Sequence, residues 1–379
     1  MKVIIAAAGT GGHINPGLAI ANKIMQEEPK SEVLFIGTPR GLENDLVPRA
    51  GYKLKTINAY GISRSFTLKN VKRLFKTLHS ILEAKKIIKE FQPDLIIGTG
   101  GYICISTCIA AQMMHKKYMI HESNVLPGVA TKILAKDAEK IMVGFKEAKQ
   151  RLTEKANVVI TGTPTKNKSL NYDIDQIEQK KFEEGFDKDL PLILVFGGSQ
   201  GAKSINNAMV DIIKKYNEKN VTEKIKYQII WATGPKQYDL IREELNKEDL
   251  NIDNIDRIKV VPYIYNMEEI LNISDLIVSR SGAMTITEIE KIGKPAIFIP
   301  FPFAAENHQE FNARALEKEG AAKVILDKEL TSEKLDEMIK KITNDKKTLQ
   351  EMGKRSKSLS IDNVEDKIYM EIKEVLKKA

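Results

Sequence analysis

The sequence predicts an α/β protein made of two domains, each built around a parallel sheet. Short, continuous apolar segments alternate with helical segments along the chain, which is typical of parallel strands covered on both faces. The opening scheme of strand, glycine turn and helix then returns near Leu190. The chain has 379 residues, more than one hydrophobic core usually supports, because single cores stop growing near about 250–300 residues. We therefore expect two Rossmann-like units.

The first half alternates predicted strands with predicted helices. The strands are KVIIAAAG, EVLFIG, DLIIGTGG, YMIHE, KIMVGF and VVITGT. A helix is predicted for NPGLAIANKIMQEE. Residues 96–115 carry no charge, but their glycines and polar residues are unlike a membrane-spanning helix. We interpret that segment as a strand, a glycine turn and a buried helix.

The second half repeats the pattern after a charged connector with a short helix at residues 169–191. Its predicted strands are LPLILVF, YQIIWATG, IKVVPYI, DLIVSRSG, PAIFIPF and AAKVIL. We expect a first domain at 1–163, a second domain at 164–350, and a helical tail at 351–379 that packs back toward the first domain. Two such domains, with their parallel sheets facing each other, would place a ligand cleft at the carboxyl ends of the strands.

The amino-acid composition limits the kinds of binding partner that we expect. The net charge of +8 favours anionic partners such as nucleotides, diphosphates or acidic lipids, although a solvated lysine-rich surface is the alternative. No RNA-recognition pattern or zinc module is present, so no nucleic-acid partner is expected. Cys104 and Cys108 are the only cysteines and cannot build a metal cluster. No metal site is expected.

Three glycine turns are candidate anion sites. Residues 9–12 read GTGG, residues 197–201 read GGSQG, and SRSG at 279–282 precedes the helix AMTITEIEKIG. Each turn joins a strand to a helix, and the free N–H groups of a helix start can bind a diphosphate. No turn matches the full dinucleotide motif, so dinucleotide binding is weakly supported. For GTGG and GGSQG, tight packing of strand against helix is the alternative.

His13 directly follows the first glycine turn. Free imidazole titrates near neutral pH, which suits a general base. The alternative is a histidine that only satisfies backbone carbonyls at a helix start. His121 and Glu122, at the end of the strand YMIHE, are the rival pair for the catalytic role. The HExN pattern lacks the second histidine of a zinc helix, so a metal site is not predicted there.

Polar residues also follow two strands of the second half. Glu288 lies in the second turn of the helix after SRSG, where a carboxylate could accept hydrogen bonds from both hydroxyls of a ribose. A solvated helix acid is the alternative. Arg280 lies in the preceding turn. The loop after the next strand carries a cluster of polar residues: Glu306, Asn307, His308, Gln309 and Asn312. Such density beside an apolar sheet is costly unless it is solvated or bound to a ligand.

Five motifs occur in the order GTGGH, HExN, GGSQG, SRSGAMTxxE and HQxxNA. In this combination the chain resembles, over nearly its whole length, the MurG-type N-acetylglucosaminyltransferases of bacterial cell-wall synthesis. The resemblance implies the GT-B fold and no cofactor. It implies inverting, metal-independent transfer of GlcNAc from UDP-GlcNAc to the C4 hydroxyl of MurNAc in undecaprenyl-diphosphate-MurNAc-pentapeptide. The alternatives are a UDP-GlcNAc 2-epimerase and another lipid glycosyltransferase of this fold.

The resemblance also implies site residues, with His13 as the catalytic base. The residues implied to bind UDP-GlcNAc are Thr10, Gly11, Gly12, Asn124, Lys166, Ser199, Ile264, Ala283, Met284, Thr285, Ile286, Thr287, Glu288 and Gln309. Acceptor or secondary roles fall to His121, Glu122, Arg280 and Asn312. Lys166 stands where such enzymes commonly have arginine, so it keeps the charge and loses the bidentate fork. Ser123 stands where glutamine is common.

Residues 66–91 are a candidate membrane-facing helix. Apolar residues recur at helical spacing: Leu68, Val71, Leu74, Phe75, Leu78, Ile81 and Leu82. Basic residues surround them: Lys69, Lys72, Arg73, Lys76, Lys85, Lys86 and Lys89. Basic amphipathic helices bind anionic membranes, and a core-facing helix with a solvated lysine face is the alternative. With the lipid acceptor, this pattern favours peripheral association with the cytoplasmic face of the cell membrane.

Overall fold

The structure is a computed structural model that describes residues 1–59, 68–165, 170, 172–217, 225–255 and 257–377, without the side chains of residues 68–76 and 254. The chain divides into two compact units. The first contains Met1–Lys166 and Ile361–Ala379, and the second contains Asn167–Ser360. The corresponding boundaries predicted from the sequence are 163/164 and 350/351.

The first unit is a parallel sheet with helical connections. Its elements are β1 (Lys2–Ala7), α1 (Gly11–Glu27), β2 (Glu32–Gly37), α2 (Glu43–Arg49), β3 (Lys53–Thr56), α3 (Leu68–Phe91), β4 (Leu95–Gly100), α4 (Ile103–Met113), β5 (Tyr118–Glu122), α5 (Val129–Leu134), β6 (Lys140–Val143), α6 (Lys146–Lys149) and β7 (Val158–Ile160). The described strands pair in parallel in the order β3-β2-β1-β4-β5-β6-β7.

The second unit repeats this architecture. Its elements are α7 (Ile174–Glu183), β8 (Leu192–Phe196), α8 (Lys203–Asn217), β9 (Gln228–Ala232), α9 (Pro235–Asn246), β10 (Ile258–Val261), α10 (Met267–Ile273), β11 (Leu276–Ser279), α11 (Ala283–Ile292), β12 (Ala296–Phe298), α12 (His308–Lys318), β13 (Ala322–Val324), α13 (Ser332–Thr343) and α14 (Lys346–Leu359). The strands are parallel, in the order β10-β9-β8-β11-β12-β13.

Both sheets therefore contain a switch point, where the strand order reverses on either side of the first strand. In the first unit β1 lies between β2 and β4, and in the second β8 lies between β9 and β11. Ligands of such sheets bind outside the carboxyl ends of the strands at this position. The glycine turns after β1 and β8 lie at these two points.

The last helix, α15 (Val364–Lys377), belongs to the first unit. Its buried face joins the core formed by α1 and one face of the first sheet; the residues are Val364, Ile368, Ile372 and Val375. Ion pairs of 2.5 Å each, Lys23 with Asp366 and Glu28 with Lys373, tie α15 to α1. In contrast, α14 stays with the second unit and packs against α11.

One strand of the first unit was not predicted, and one helix was. β3 has the sequence KLKT and lies mostly exposed at the sheet edge, so a search for apolar segments does not find it. α3 confirms the predicted helix and buries Ile81, Ala84, Ile87 and Ile88 in the core. No described helix combines the length and the apolar character needed to cross a bilayer.

Candidate active site

The first switch point presents His13 from the start of a helix. The chain leaves β1 through Gly9, whose φ of +94° favours glycine, and α1 begins at Gly11. The carbonyl oxygen of Thr10 accepts the backbone N–H of His13 at 3.1 Å. The sequence predicted that this helix starts at Asn15. It starts four positions earlier, so His13 lies inside its first turn. The amides of Gly11 and Gly12 lie at the positive end of the helix, where anions are favoured.

The His13 ring is held by the turn after β4. A Cβ on Gly100 would lie 2.3 Å from Cδ2 of His13, so only glycine leaves room for the ring. Nδ1 of His13 lies 3.0 Å from the carbonyl oxygen of Ala8, and the Thr99 hydroxyl donates to the carbonyl of His13 at 2.8 Å. No described residue hydrogen-bonds Nε2. With Nδ1 donating to Ala8, Nε2 is the nitrogen that can accept a proton.

His121 and Glu122, the alternative catalytic pair, are buried in the first unit. His121 is 1% exposed, and its Nε2 lies 3.0 Å from the carbonyl oxygen of Gly162. Burial lowers the pKa of His121. Glu122 accepts the Gly128 N–H at 2.9 Å and the Thr131 hydroxyl at 2.7 Å. This geometry gives the pair a structural role in the loop after β5.

Asn124 lies in that same loop. Its backbone N–H and its side-chain amide donate to Oε1 of Glu122 at 3.0 and 3.2 Å. Ser123, which stands where the related motif has glutamine, is buried. Glu122 thus fixes the conformation of the predicted donor-sugar residue.

The second switch point is a pocket with a volume of about 640 Å³. Three of the predicted site residues line it: Arg280, Thr285 and Gln309. The other lining residues are Gly197, Gly198, Gly201, Ala202, Lys203, Ser204, Asn207, Gly282, Phe301, Pro302, Phe303 and Asp327. Glycine backbone, hydroxyl and amide groups therefore meet an aromatic edge in one concave site.

The turn after β8 forms one wall of this pocket. A Cβ on Gly201 would lie 2.0 Å from the carbonyl oxygen of Thr233, so the turn lies directly on the neighbouring turn after β9. Gly198 has a φ of +90° and faces open space, and Ser199 is exposed beside it. The sequence GGSQG thus needs one glycine for close packing and another for backbone conformation.

The start of α11 forms a second wall. Gly282 is the N-cap and no side chain caps the helix, so the amides of Ala283, Met284 and Thr285 are the open N–H groups of its first turn. Ile286 is buried in the core, and the Thr287 hydroxyl donates to the carbonyl of Ala283 at 3.0 Å. In the predicted stretch 283–288, the first backbone amides are therefore available to bind an anion, whereas Ile286 and Thr287 stabilise the fold.

Glu288 is half-buried on α11. Burial, with a smaller contribution from the nearby Glu268, raises the pKa of Glu288 to about 7. The carboxyl group is therefore close to its titration midpoint at neutral pH. The ionised carboxylate accepts hydrogen bonds on both oxygens, whereas in the protonated acid one oxygen carries a donor O–H.

Arg280 braces the pocket wall. Its guanidinium donates to the carbonyls of Ile299 and Pro300 at 3.0 and 3.1 Å, to Asp327 at 2.5 Å and to the Ser204 hydroxyl at 3.0 Å. These bonds commit the cation to protein acceptors. Sequence reasoning missed Ser204 and Asp327, and the only available signal was the position of Asp327 soon after a strand.

The HQxxNA segment connects α12 to the turn before α11. Gln309 accepts the Phe301 N–H on its side-chain oxygen at 3.0 Å. Its backbone carbonyl accepts the Ser281 hydroxyl at 2.8 Å. Asn312 is fully buried and donates to the carbonyl of Ser281 at 3.3 Å. Asn312 is therefore structural, whereas Gln309 reaches the pocket.

One predicted contact, Ile264, lies outside both of these sites. Ile264 is buried in the loop after β10, between Tyr263 and Tyr265, which are 42% and 92% exposed. Lys166 lies outside the described residues. Within the described ranges, no three histidine, cysteine, aspartate or glutamate side chains come together as a metal site.

Two units of this kind, each a doubly wound parallel sheet with a switch point, have the architecture of the GT-B class. The family descriptions agree with this class. Residues 3–143 match the glycosyltransferase family 28 N-terminal domain, and residues 192–368 match the glycosyltransferase family 28 C-terminal domain.

Known proteins narrow the class further. A relative from Acetivibrio thermocellus, named UDP-N-acetylglucosamine--N-acetylmuramyl-(pentapeptide) pyrophosphoryl-undecaprenol N-acetylglucosamine transferase, is 41% identical and covers 100% of this chain and 99% of its own. The crystal structure of Acinetobacter baumannii MurG matches with a TM-score of 0.76 and 25% identity, covering 100% of both chains. This chain belongs to glycosyltransferase family 28 and, within it, to the MurG family of N-acetylglucosamine transferases.

A second enzyme class shares the fold. The structure of a putative UDP-N-acetylglucosamine 2-epimerase from Listeria monocytogenes matches with a TM-score of 0.67 and 15% identity, covering 100% of this chain and 97% of that one. At this identity the likeness concerns the fold alone.

Proposed function

We propose that the chain transfers GlcNAc from UDP-GlcNAc to the C4 hydroxyl of MurNAc in undecaprenyl-diphosphate-MurNAc-pentapeptide, with inversion and without a metal. The observation that carries this proposal is the full-length match, at 41% identity, to a relative that bears the corresponding name. The His13 geometry and the pocket at the second switch point support it independently.

His13 is the proposed base. Nε2 takes the proton of the acceptor hydroxyl as that oxygen attacks the anomeric carbon, and the bond from this carbon to the UDP oxygen breaks with its electron pair going to UDP. Attack and departure on opposite faces of the sugar invert the anomeric centre. The Ala8 carbonyl and the Gly100 backbone hold the ring, so the base is oriented before substrate arrives.

Protein amides are proposed to stabilise the leaving diphosphate. The open N–H groups at the start of α11 and the backbone of the GGSQG turn surround the pocket, where fixed dipoles favour negative charge. Glu288 is the proposed ribose contact, and the backbone of Ile264 the proposed uracil contact. Thr10, Gly11, Gly12, Asn124, Ser199, Lys166 and Gln309 remain proposed donor contacts.

UDP release tests the reaction. Enzyme, UDP-GlcNAc and a lipid-linked muramyl acceptor should release UDP, with release depending on the acceptor and persisting in a metal chelator. Formation of UDP-ManNAc without acceptor would instead identify an epimerase. The third candidate is another lipid glycosyltransferase. An assay in which the muramyl acceptor and diacylglycerol compete for GlcNAc tests it, because such an enzyme would transfer the sugar to diacylglycerol.

We also propose that the first unit binds the anionic cytoplasmic membrane surface through α3. In the described part of this helix, Leu78 and Leu82 are 52% and 60% exposed one turn apart, and Lys86 and Lys89 are exposed beyond them. Exposed leucines beside lysines suit an interfacial helix. The side chains of residues 68–76, Phe75 among them, lie outside the described part of the structure.

Vesicle sedimentation tests this surface. Binding to vesicles that contain phosphatidylglycerol should weaken in high salt and in a Leu78→Gln, Leu82→Gln variant, because both charge and apolar contact contribute. A Leu240→Gln variant, which changes an exposed leucine of the second unit, is the control. Equal binding of all three proteins at both salt concentrations would reject the proposal.

A further inference from the structure

A buried carboxylate lies beneath the first glycine turn. Glu43 begins α2, and its side chain is fully buried. Oε1 accepts the backbone N–H and the hydroxyl of Thr38 at 2.8 and 2.7 Å, and Oε2 accepts the Gly9 N–H at 2.9 Å. No described residue forms an ion pair with Glu43. Every partner is a donor, and burial of a carboxylate without a cation is costly, so this side chain requires a specific explanation.

The loop after β2 is shaped around this side chain. A Cβ on Gly41 would lie 2.0 Å from Oε2 of Glu43, and one on Gly37 would lie 2.6 Å from its Cγ. The backbone N–H of Leu42 also lies 3.4 Å from the carbonyl oxygen of Gly9. Two glycines and two hydrogen bonds therefore fix the carboxylate against the turn that carries His13.

One peptide group joins Glu43 to His13. The Ala8–Gly9 peptide donates its N–H to Oε2 of Glu43 at 2.9 Å, and its carbonyl oxygen lies 3.0 Å from Nδ1 of His13. The peptide is trans, so these two groups point in opposite directions. Hydrogen bonds linked through one amide polarise each other, especially away from bulk water. The arrangement is a chain from carboxylate to peptide to imidazole.

We propose that Glu43 is a positioning residue that acts on His13 through the Ala8–Gly9 peptide. The carboxylate polarises the peptide, strengthens the Ala8 carbonyl as an acceptor and holds His13 in the Nδ1–H tautomer. During transfer the proton of the acceptor hydroxyl moves to Nε2 while Nδ1 keeps its own proton. The negative charge of Glu43 then stabilises the imidazolium. This inference deepens the proposed function and rests on His13 as the base.

The elements packed against α1 contain few competing charges near His13. These elements are β1, β4, α2 and α15. β4 has no ionisable side chain, and the adjacent Cys104 thiol is neutral because burial raises its pKa to about 12. Four ion pairs lie toward the C-terminal end of α1, within α2 or at the start of β1: Lys23 with Asp366, Glu28 with Lys373, Asp45 with Arg49, and Lys2 with Glu32. The remaining charges of α15 face other partners or solvent: Glu371 and Glu374 pair with Lys140, Glu365 accepts the Thr165 N–H, and Lys367 and Lys377 are exposed.

The pH profile of kcat/KM in a Glu43→Gln variant tests this coupling. We expect kcat to fall about tenfold with an unchanged KM for UDP-GlcNAc, and the acidic limb to move to lower pH by up to about one unit, because the imidazolium loses a stabilising charge. Glu27→Gln, the same substitution at an exposed position of α1, should leave the profile unchanged. A lower kcat with an unmoved limb would mean a purely structural role and overturn the inference.

Nitrogen NMR of the wild-type enzyme tests the tautomer without relying on a variant's stability. In protein labelled with ¹⁵N-histidine, the signal that disappears in His13→Gln belongs to His13. In the wild-type enzyme, at a pH where this ring is neutral, the signal should be that of the Nδ1–H tautomer, and an Nε2–H tautomer would overturn the inference. Kinetic measurements distinguish failure of His13 as the base from failure of Glu43 as its positioning residue. Full turnover of His13→Gln would remove the base itself. An inactive His13→Gln beside an unmoved limb in Glu43→Gln would remove only the role of Glu43.

Discussion

The two switch points use the same strand order for different chemistry. In the first unit the space between the turns after β1 and β4 is taken by the His13 ring, which packs against Gly100. In the second unit the corresponding space, between the turns after β8 and β11, is an open pocket of about 640 Å³. The first turn carries an imidazole, whereas the second offers amides.

This difference shows how one scaffold can supply either a reacting side chain or a binding surface. A glycine in the first unit makes room for a side chain of the protein itself. In the second unit Gly198 faces open space, and the wall around it is braced by Arg280 through its bonds to Asp327 and Ser204. Removal of the His13 imidazole should therefore lower kcat, and removal of a ground-state contact in the second unit should raise KM.

The largest effect is expected for His13→Gln. Removal of a general base should lower kcat by about 10²- to 10⁴-fold, with little change in the affinity for UDP-GlcNAc. Steady-state UDP release gives kcat, and calorimetry with UDP-GlcNAc gives the affinity. Normal turnover would break the comparison, because the first switch point would then supply no chemistry.

A smaller loss is expected for Gly100→Ala. Its φ is +127°, and the new Cβ would collide with the His13 ring, so we expect kcat to fall roughly 10- to 100-fold as the base is displaced. Gly185→Ala, just after α7 in the second unit, is the matched control, since this glycine has a φ of +85° and no atom within 4 Å of the new Cβ. Equal losses of kcat in both variants would mean that backbone strain, not ring displacement, is responsible.

The smallest effect is expected at Glu288. Loss of a charged acceptor in Glu288→Gln should weaken UDP-GlcNAc binding about tenfold at pH 8, consistent with hydrogen bonds to a charged group. The pKa of Glu288 is about 7, so wild-type binding should weaken as the pH falls from 8 to 6 and the carboxylate is protonated. Calorimetry across this range should find a flat profile for the variant. A wild-type profile that is equally flat would remove Glu288 from the ribose contact.

The regular elements could be predicted because parallel strands buried on both faces are continuous apolar segments. The helix at residues 283–292 and its end at Gly293, with a φ of +79°, were predictable for a similar reason, since the turn and the glycine mark its limits. β3 was missed because it lies at an edge. The start of α1 was placed too late, because glycines argue against a helix although they suit its first open turn.

The site was less predictable because its contacts join distant segments. Gly9 and Glu43 are 34 positions apart, and Arg280 and Asp327 are 47 apart. Sequence spacing shows which residue types follow the strands. It does not show that Arg280 donates hydrogen bonds to four acceptors, because those acceptors come from segments that meet only in the folded protein. For the same reason no sequence pattern reveals that Glu122 is occupied by its own loop.

The assignment of α15 to the first unit has a consequence for synthesis on the ribosome. Val364 and Ile372 complete a core whose other members, such as Leu18 and Ile24, are translated hundreds of positions earlier. That apolar surface stays uncovered until the whole second unit has been made, and exposed apolar surface of this kind is open to chaperones and to aggregation. The first unit to be translated is thus the last to finish its packing.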